Sequence, residues 1–570
     1  MIYTIENLGT AFFSTVLCII AYFLIFVVIA LLIFLYFNTV FDLTFSKSFT
    51  VSKPFLQIPT NNKNMRKETN APIVIIAGTL CCLFYGFYAI GFSISGTLFT
   101  ILSIALLFLI VFWVLFFKKR ANVLMRNGVY IAIGCVFALF AYRFLLVLEA
   151  PPATLAQLSK VTMIEAELSG DPLPAGQRYY RMPVKLLRCS YADGSSFFAR
   201  GSCMLFIPAA AVKEQYAGGI SLLRGEVFSE YYAKGLRLFV KGGFTDDEKA
   251  FFAKPVQPKF SAWNSKHEKV RARLRFYLMY LLYEWGEAGG LLLALLAADK
   301  TFLTPDFAES FKNAGLAHVL ALSGMHVSIV SLAAIRFGNI FGRKRIAIRV
   351  SLLSVLFFVW FAGTSPSLSR ALGMMLFMVL GKRFGFQPKI FSILSAMITV
   401  HIVFFPQDAL ELGFMLSYGA LAGILLFGEA LITIVKKQIP AAIAGAFAAS
   451  IGAQAFTAPI VIGFIGKIAF IGVLASCVIS PIVSVFLIFG IAAIGICLLL
   501  PIASPIFSFV LNGMYHCIFF LARSFAQFPL LEAETISETV FYAIIPFAAG
   551  VSCMYIAKKI TIKRNSYELT

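Results

Sequence analysis

Residues 304–330 read TPDFAESFKNAGLAHVLALSGMHVSIV, and the kind of protein turns on this stretch. Thr304 has N-cap chemistry, and Pro305 suits the first helical position, where a fixed φ and a missing N–H cost least. The helix they open runs on into sequence apolar enough for hydrocarbon. Inside that run stand His318, Ser323, Gly324 and His326. Hydrocarbon does not tolerate such groups facing lipid. The pattern therefore predicts an element that is broken, or that lines protein or a water-filled path.

Composition sets the class. The chain has 570 residues, is 60% hydrophobic and carries 61 Phe, and its mean hydropathy is +0.88. A soluble globule is closer to half apolar, so a polytopic α-helical membrane protein is expected. The formal net charge of +21 falls in short loops, where it sets topology, and in one long soluble stretch, where it meets anions. The Cys residues lie mostly in apolar segments as small hydrophobes, and no C-x-x-C pair or His-rich tract points to a metal. No cofactor is expected.

Residues 1–70 read as an extra N-terminal transmembrane helix at 11–37 and a basic cytoplasmic loop with Lys47, Lys53, Lys63, Arg66 and Lys67. Glu6 precedes the helix where a signal peptide would carry Lys or Arg, so it is expected to be retained. Residues 71–149 hold the N-terminal transmembrane helices, at 71–92, 96–117 and 128–149. Lys118, Lys119, Arg120 and Arg126 mark the cytoplasmic return. By parity, residues from 150 onward lie outside.

Residues 150–260 change character. Short alternating runs at 160–168, 177–189, 196–207, 219–227 and 235–241 predict strands, separated by turn signals such as Asp193-Gly194. Strands this short and numerous fit a small extracytoplasmic barrel of the OB type. On such a barrel Tyr179, Tyr180, Arg181, Phe197, Phe198, Arg200, Tyr231, Tyr232 and Arg237 are candidates to meet single-stranded nucleic acid. The alternative makes these aromatics barrel core and the charges a solvated face. Cys189 and Cys203 flank the Asp193-Gly194 turn. They are candidates for a disulfide in an oxidising exterior, against two buried thiols.

Residues 261–300 read as interfacial amphipathic helices. Val270, Leu274, Tyr277, Leu278, Leu281 and Trp285 recur at helical spacing, and Lys266, Lys269, Arg271, Arg273 and Arg275 gather near the start. The expectation is a helix in the membrane interface, with Trp at headgroup level and the cations on lipid headgroups or guiding a polyanion. Residues 301–560 form the main transmembrane domain and 561–570 a cytoplasmic tail. Arg343, Lys344 and Arg345, then Lys382 and Arg383, then Lys436 and Lys437, then Lys558 and Lys559 mark inside loops. About 11–13 transmembrane segments result. The Ala- and Gly-rich 440–465 fits a re-entrant segment, and 468–499 fits two short pieces.

Polar groups interrupt these spans in clusters: Ser365, Ser367 and Arg370; Gln407, Asp408 and Glu411; Ser417 and Tyr418; Ser450 and Gln454. Arg370 either faces a phosphate in a pathway or snorkels to headgroups. His318 and His326 either line a gate or satisfy local hydrogen bonds. Eight residues apart on an unbroken helix, they would stand about 12 Å apart along the axis, too far for one metal.

The string LLLALLAADK at 291–300 and AGLAHVLALSGMHVSIV at 314–330 resemble the signature of the competence domain of ComEC-type DNA-uptake channels. The likeness continues through SPSLSRALGMMLFMVLGKRFG at 365–385, FPQDALELGFMLSYGALAGILLFG at 405–428 and AQAFTAPIVIGFIGKIAFIGVLASCVISPIV at 453–483. Upstream, 71–242, including GISLLRGEV at 219–227, is similar to that family's N-terminal region. The resemblance implies a bacterial inner-membrane channel that passes single-stranded DNA to the cytoplasm during natural transformation. Its implied partners are membrane lipid, a separate DNA receptor, a nuclease and a cytoplasmic helicase, with a homodimer as an alternative to one chain enclosing the path.

Two departures stand out. Many members carry a metallo-β-lactamase-like domain, whereas this sequence ends at Thr570 with no His-x-His-x-Asp-His string, so a nuclease is expected on another polypeptide. Ser476 stands where the family commonly has Asn. No G-x-x-x-x-G-K-[ST] is present and no paired-carboxylate site for phosphodiester cleavage stands out, so a transporter, not an enzyme, is expected. The rival readings are a secondary transporter or permease for a small or lipid-like substrate, and an assembly scaffold.

Overall fold

The alternation in the soluble stretch produces strands, and the apolar runs produce helices. The computed structural model describes residues 71–91, 123–148, 153–154, 157–175, 178–208, 233–245, 250–256, 259–300, 302–340, 342–363, 365–385, 389–435 and 440–567. The helices expected at 11–37 and 96–117, the strand expected at 219–227, and Tyr231 and Tyr232 lie outside the described residues. Contacts divide the chain into two compact units. One takes the stretches up to Leu145, Ser369–Cys477 and from Pro529 onward; the other takes Leu146–Leu368 and Val478–Phe528.

The second unit contains the barrel. Its strands are β1 (Ala153–Thr154), β2 (Met163–Leu168), β3 (Leu173–Ala175), β4 (Tyr179–Ser190), β5 (Ser196–Arg200), β6 (Ser202–Pro208), β7 (Leu236–Phe244), β8 (Ala250–Ala253) and β9 (Lys259–Trp263). β2 pairs with β4 and β7, β7 with β8, β8 with β6, and β6 returns to β4, so five strands close on themselves. Only the β6–β8 pairing in this ring is parallel. Period-two alternation turns Ile164, Met182, Val184, Leu205, Ile207, Leu238, Val240 and Phe251 inward, all essentially buried. Each such side chain contributes about 1.5–3 kcal/mol of transfer free energy. The ring is closed by β8, whose four residues are too few for alternation to announce it.

The thiols correct another expectation. Cys189 and Cys203 are both free and buried in the barrel core. Strand register explains this, because Cys203 lies opposite Val184 and Cys189 opposite Phe197. Their strands do pair, but the two thiols do not face each other across the ladder.

Helix α3 (Lys266–Tyr283) follows, with the Ser265 hydroxyl accepting from the His267 N–H at its N-terminus. Val270, Leu274 and Tyr277 are exposed as the apolar stripe requires. Two of the arginines, however, turn inward, while Arg273 is exposed. Arg271 and Arg275 are buried on the opposite face. Arg275 donates to the carbonyls of Ala362 (3.0 Å) and Ala297 (3.1 Å), and Arg271 Nε donates to Phe361 O at 3.2 Å. These carbonyls lie at the C-terminal ends of α4 (Gly286–Ala297) and α7 (Lys344–Ala362), where a cation satisfies orphan acceptors and the helix dipole together. Asp171 completes the cluster, 3.4 Å from Arg271 and 3.2 Å from Arg275. Gly363 follows with φ +101, and a Cβ there would sit 2.9 Å from Arg271 Nη2, so only glycine passes the cation this closely.

Helix α4 is also not interfacial. Every residue from Ala288 to Ala297 is buried, as expected of a helix apolar all round. Trp285 is 1% exposed instead of at headgroup level. Its indole N–H donates to Ser504 Oγ at 2.8 Å and its carbonyl accepts from Asn512 Nδ2 at 2.9 Å, both on α14 (Ser504–Ala526). Between α4 and α7 come α5 (Pro305–Asn313) and α6 (Gly324–Asn339).

The first unit is helical, with α1 (Ala71–Ile90), most of α2 (Val123–Leu148), α8 (Pro366–Arg383) from Ser369 on, α9 (Ile390–Phe404), α10 (Leu412–Gly423), a π turn at Ile424–Gly428, α11 (Glu429–Val435), α12 (Ala441–Ile465), the start of α13 (Gly472–Leu499) and α15 (Ile536–Tyr567). α12 and α13 are each continuous, with Pro459 and Pro481 inside them, so 468–499 is not two pieces and no re-entrant break interrupts 441–465. Glycine sets the α10–α12 approach. A Cβ on Gly423 would meet Gly452 O at 2.2 Å, the small-residue contact by which membrane helices pack. Among the described residues, eight helices are long and apolar enough to cross a membrane, and α4, α8 and α9 hold shorter apolar stretches.

The Asp171 carboxyl is held below its ordinary value of 3.8; burial raises it, but Arg275 and Arg271 outweigh that, helped by the Lys234 N–H. Its contribution to stability is therefore full above the ordinary value and is lost as pH falls through the lower folded value. Asp171→Asn in the detergent-solubilised chain is expected to cost about 3 kcal/mol at neutral pH, because two buried cations lose their carboxylate. The melting-temperature gap to wild type is expected to hold above the ordinary carboxyl value of 3.8 and to close as pH falls below it. A gap independent of pH would show that the ion cluster is not its source.

Candidate functional site

In the first unit, the apolar sequence of α9 carries one titratable group, His401, and everything polar nearby converges on it. It lies in the last turn of α9, is 1% exposed, and has both ring nitrogens engaged. Nε2 stands 3.1 Å from Asp408 Oδ2, and Nδ1 stands 3.1 Å from Tyr418 Oη. Asp408 comes from a short 3-10 turn, Asp408–Leu410, and Tyr418 from α10. The Asp408 side chain is 36% exposed, against 1% for His401. The pair thus connects a buried imidazole to a partly exposed carboxylate.

Arg370 of α8 completes the group, its guanidinium 5.7 Å from the centroid of the Tyr418 ring. Its Nε is buried without a hydrogen-bond partner. Among the described residues no carboxylate stands within the 4.0 Å of an ion pair to it. From α1, Tyr85 donates to Ala409 O at 2.7 Å, and Tyr85 and Cys81 both stand close enough to Tyr418 to act on it electrostatically. Glu411, the residue before α10, stands near Asp408 and His401 in the same sense. Phe405 and Phe414 close edge-on around the imidazole, at 5.8 and 5.1 Å between centroids. The result is an uncompensated cation above a phenol, backed by a histidine–carboxylate pair. Such a group can hold an anion and can hold or move a proton.

The other residues expected to line a path are mostly satisfied locally. In the second unit the chain breaks between α5 and α6, as the polar residues within an apolar run require. Ser323 caps α6 and His326 returns to it as the third residue of a capping box, Nδ1 lying 3.2 Å from the Ser323 N–H. His326 Nε2 remains buried without a partner. Gly324 is the first residue of α6. His318 is exposed in the connecting turn. Thr304 and Pro305 open α5 as expected, although the Thr304 hydroxyl turns to Tyr515 Oη at 3.3 Å and not to the helix N-terminus. Ser365 accepts from the Leu368 N–H at 3.3 Å and so caps α8. In the first unit Gln454 donates to Ala469 O at 3.1 Å, and Ser450 to Val473 O at 3.4 Å. Ser367 and Ser417 lie in α8 and α10.

On the barrel, Tyr180 and Phe197 pack against the core, so the core reading holds for them: Tyr180 shares a face with Met182, and Phe197 is cross-strand to the buried Cys189. Arg237 lies 3.6 Å from Glu167 and donates to Asn264 Oδ1 at 3.0 Å. Phe198 is 77% exposed under the Arg188 guanidinium, 4.9 Å away, and Arg200 is exposed. Tyr179 and Arg181 do face outward, and register extends them into a row across three strands. Arg181 lies opposite Phe206, and Phe206 opposite Phe252. The two Phe rings stack at 4.7 Å, with Tyr179 edge-on to Phe252 at 5.6 Å.

Sequence reasoning missed His401, Tyr85, Phe206 and Phe252. The available signals were a lone histidine inside an apolar helix and the outward phase of β6. Among the described residues no group of three or more His, Cys, Asp or Glu is placed to hold a metal ion.

Comparison with known proteins bears on the helical part. An uncharacterized protein of Aquifex aeolicus (strain VF5) is 27% identical over 271 residues, which cover 46% of this chain and 60% of that relative. The chain thus spans less than two thirds of the relative's length. No solved structure matches. The sequence model of the Competence protein family matches residues 295–560, the stretch that holds α5 to α14, His401 and Arg370. Over residues 295–560 the chain is similar to the competence protein family.

Proposed function

We propose that the protein is a channel in a bacterial inner membrane that translocates single-stranded DNA into the cytoplasm during natural transformation, and that it is a transporter, not an enzyme. The observation that carries this reading is Arg370, a cation with no carboxylate partner among the described residues, resting over Tyr418 in a stretch matched by the competence family. An uncompensated Arg among apolar helices is costly unless an anion visits it, and a phosphodiester strand is a line of such anions.

The barrel supports the same reading. Its five-strand ring fits the OB type, in which the face of the second and third ring strands binds oligonucleotides. Those strands are β4 and β6 here, and they carry Tyr179, Arg181 and Phe206. Aromatic faces beside a cation suit unstacked bases. An extracytoplasmic barrel would meet the strand first. Membrane lipid against the exposed stripe of α3, a separate DNA receptor, a nuclease and a cytoplasmic helicase complete the proposed partners. A permease for a small or lipid-like substrate remains the rival, and the outer aromatic row is what that reading does not use.

Phe252→Ala in the purified full chain is expected to weaken binding of a short oligodeoxynucleotide about tenfold, since one stacked base contributes about 1–3 kcal/mol. Arg181→Ala is expected to lower the slope of log affinity against log salt by about 1. Unchanged affinity and slope would remove the barrel from the path. In cells, Arg370→Gln is expected to lower entry of labelled DNA at least about tenfold with membrane insertion intact; uptake equal to wild type would take Arg370 out of it.

A further inference from the structure

The His401–Asp408 pair has no task in holding a strand. A phosphate needs the cation of Arg370, whereas the imidazole lies behind Tyr418, 1% exposed, with a carboxylate on its other side. A structural histidine needs neither a partly exposed carboxylate nor an uncompensated cation beyond its second partner. We propose that His401 and Asp408 form a proton-binding site, and that its occupancy is coupled through Tyr418 to an anion held at Arg370. The proton site stands on the geometry alone; that the anion is a strand phosphate rests on the function proposed above.

The proton balance is simple. In neutral His401 the Nε2–H donates to Asp408 and Nδ1 accepts from the Tyr418 O–H. One proton from solvent then binds Nδ1. The product is an imidazolium paired with the Asp408 carboxylate, and Tyr418 turns from donor to acceptor. No other bond forms or breaks.

Coupling follows from charge. Among the described residues, the titratable and charged groups around the site are Asp408, Tyr418 and Glu411 beside His401, and Arg370 from α8 with Tyr85 and Cys81 from α1 beside Tyr418. Arg370 is the only fixed cation among them, and across one phenol ring it opposes a second positive charge on His401. An anion on Arg370 removes that opposition. Each ligand therefore favours the other, and by linkage the effect is reciprocal. A proton taken up when a phosphate arrives and released when it leaves would tie strand movement to the proton gradient.

The test uses the full chain, histidine-labelled with nitrogen-15, in lipid nanodiscs. The sequence has five His, and His401→Gln identifies the His401 signal by its disappearance. Across a pH titration, wild type is expected to show the His401 signal in both its neutral and its charged form. At a fixed pH within that transition, Asp408→Asn is expected to lower the charged fraction severalfold. Inorganic phosphate is expected to raise it in wild type and not in Arg370→Gln. A His401 signal that stays in one form, or one indifferent to Asp408→Asn, overturns the proton site. A charged fraction indifferent to phosphate, or raised equally in Arg370→Gln, overturns the coupling. A response to phosphate with none to a short oligodeoxynucleotide leaves the coupling standing and overturns the strand reading, so the two failures are told apart.

Discussion

A polar group surrounded by apolar side chains must find a partner, because leaving it bare costs several kcal/mol that no packing returns. This requirement sorts the polar residues of the helices. Ser323 and Ser365 cap helix N-termini. Gln454 and Ser450 reach across to the carbonyls at 469 and 473. Arg271 and Arg275 close the ends of two helices with Asp171. Once these are set aside, His401 with Asp408 and Tyr418, and Arg370 above them, remain as an arrangement that local structure does not need. Among the described residues, His326 Nε2 and Ser392 Oγ are further buried orphans of the helical domain.

Much of the fold was legible where the sequence states its own physics. Thr304-Pro305 announces a helix start, and His318, Ser323, Gly324 and His326 inside an apolar run announce a break. Alternation in 177–189 and 196–207 announces strands. What stayed hidden depended on partners distant in sequence. Arg271 and Arg275 of α3 look solvated on a helical wheel, and only the carbonyls at 297, 361 and 362 and the carboxylate at 171 show that they turn inward. Trp285 has the composition of a headgroup anchor, yet Ser504 and Asn512 bury it.

The site was half legible for the same reason. Arg370 and Tyr418 stand out as polar residues within apolar runs. His401 does too, but ITVHIVFF reads as one more stretch of core until Asp408 and Tyr418 arrive from either side. Cys189 and Cys203 flank a turn and so suggest a bridge, whereas cross-strand register, which no turn signal specifies alone, places other residues opposite them.

The carboxylate of Asp171 sits on the connection between β2 and β3, and it grips α3 beside the end of α7. The barrel is thus mounted on the helices of its own unit by a buried ion cluster as well as by its chain connections. A ligand released from a tethered domain samples a volume set by linker length, and its local abundance dilutes as that length grows. Were the outer aromatic row to hold a ligand, that ligand would leave from a bearing fixed relative to α3 and α7, and its effective concentration at those helices would be set by geometry and not by chain statistics.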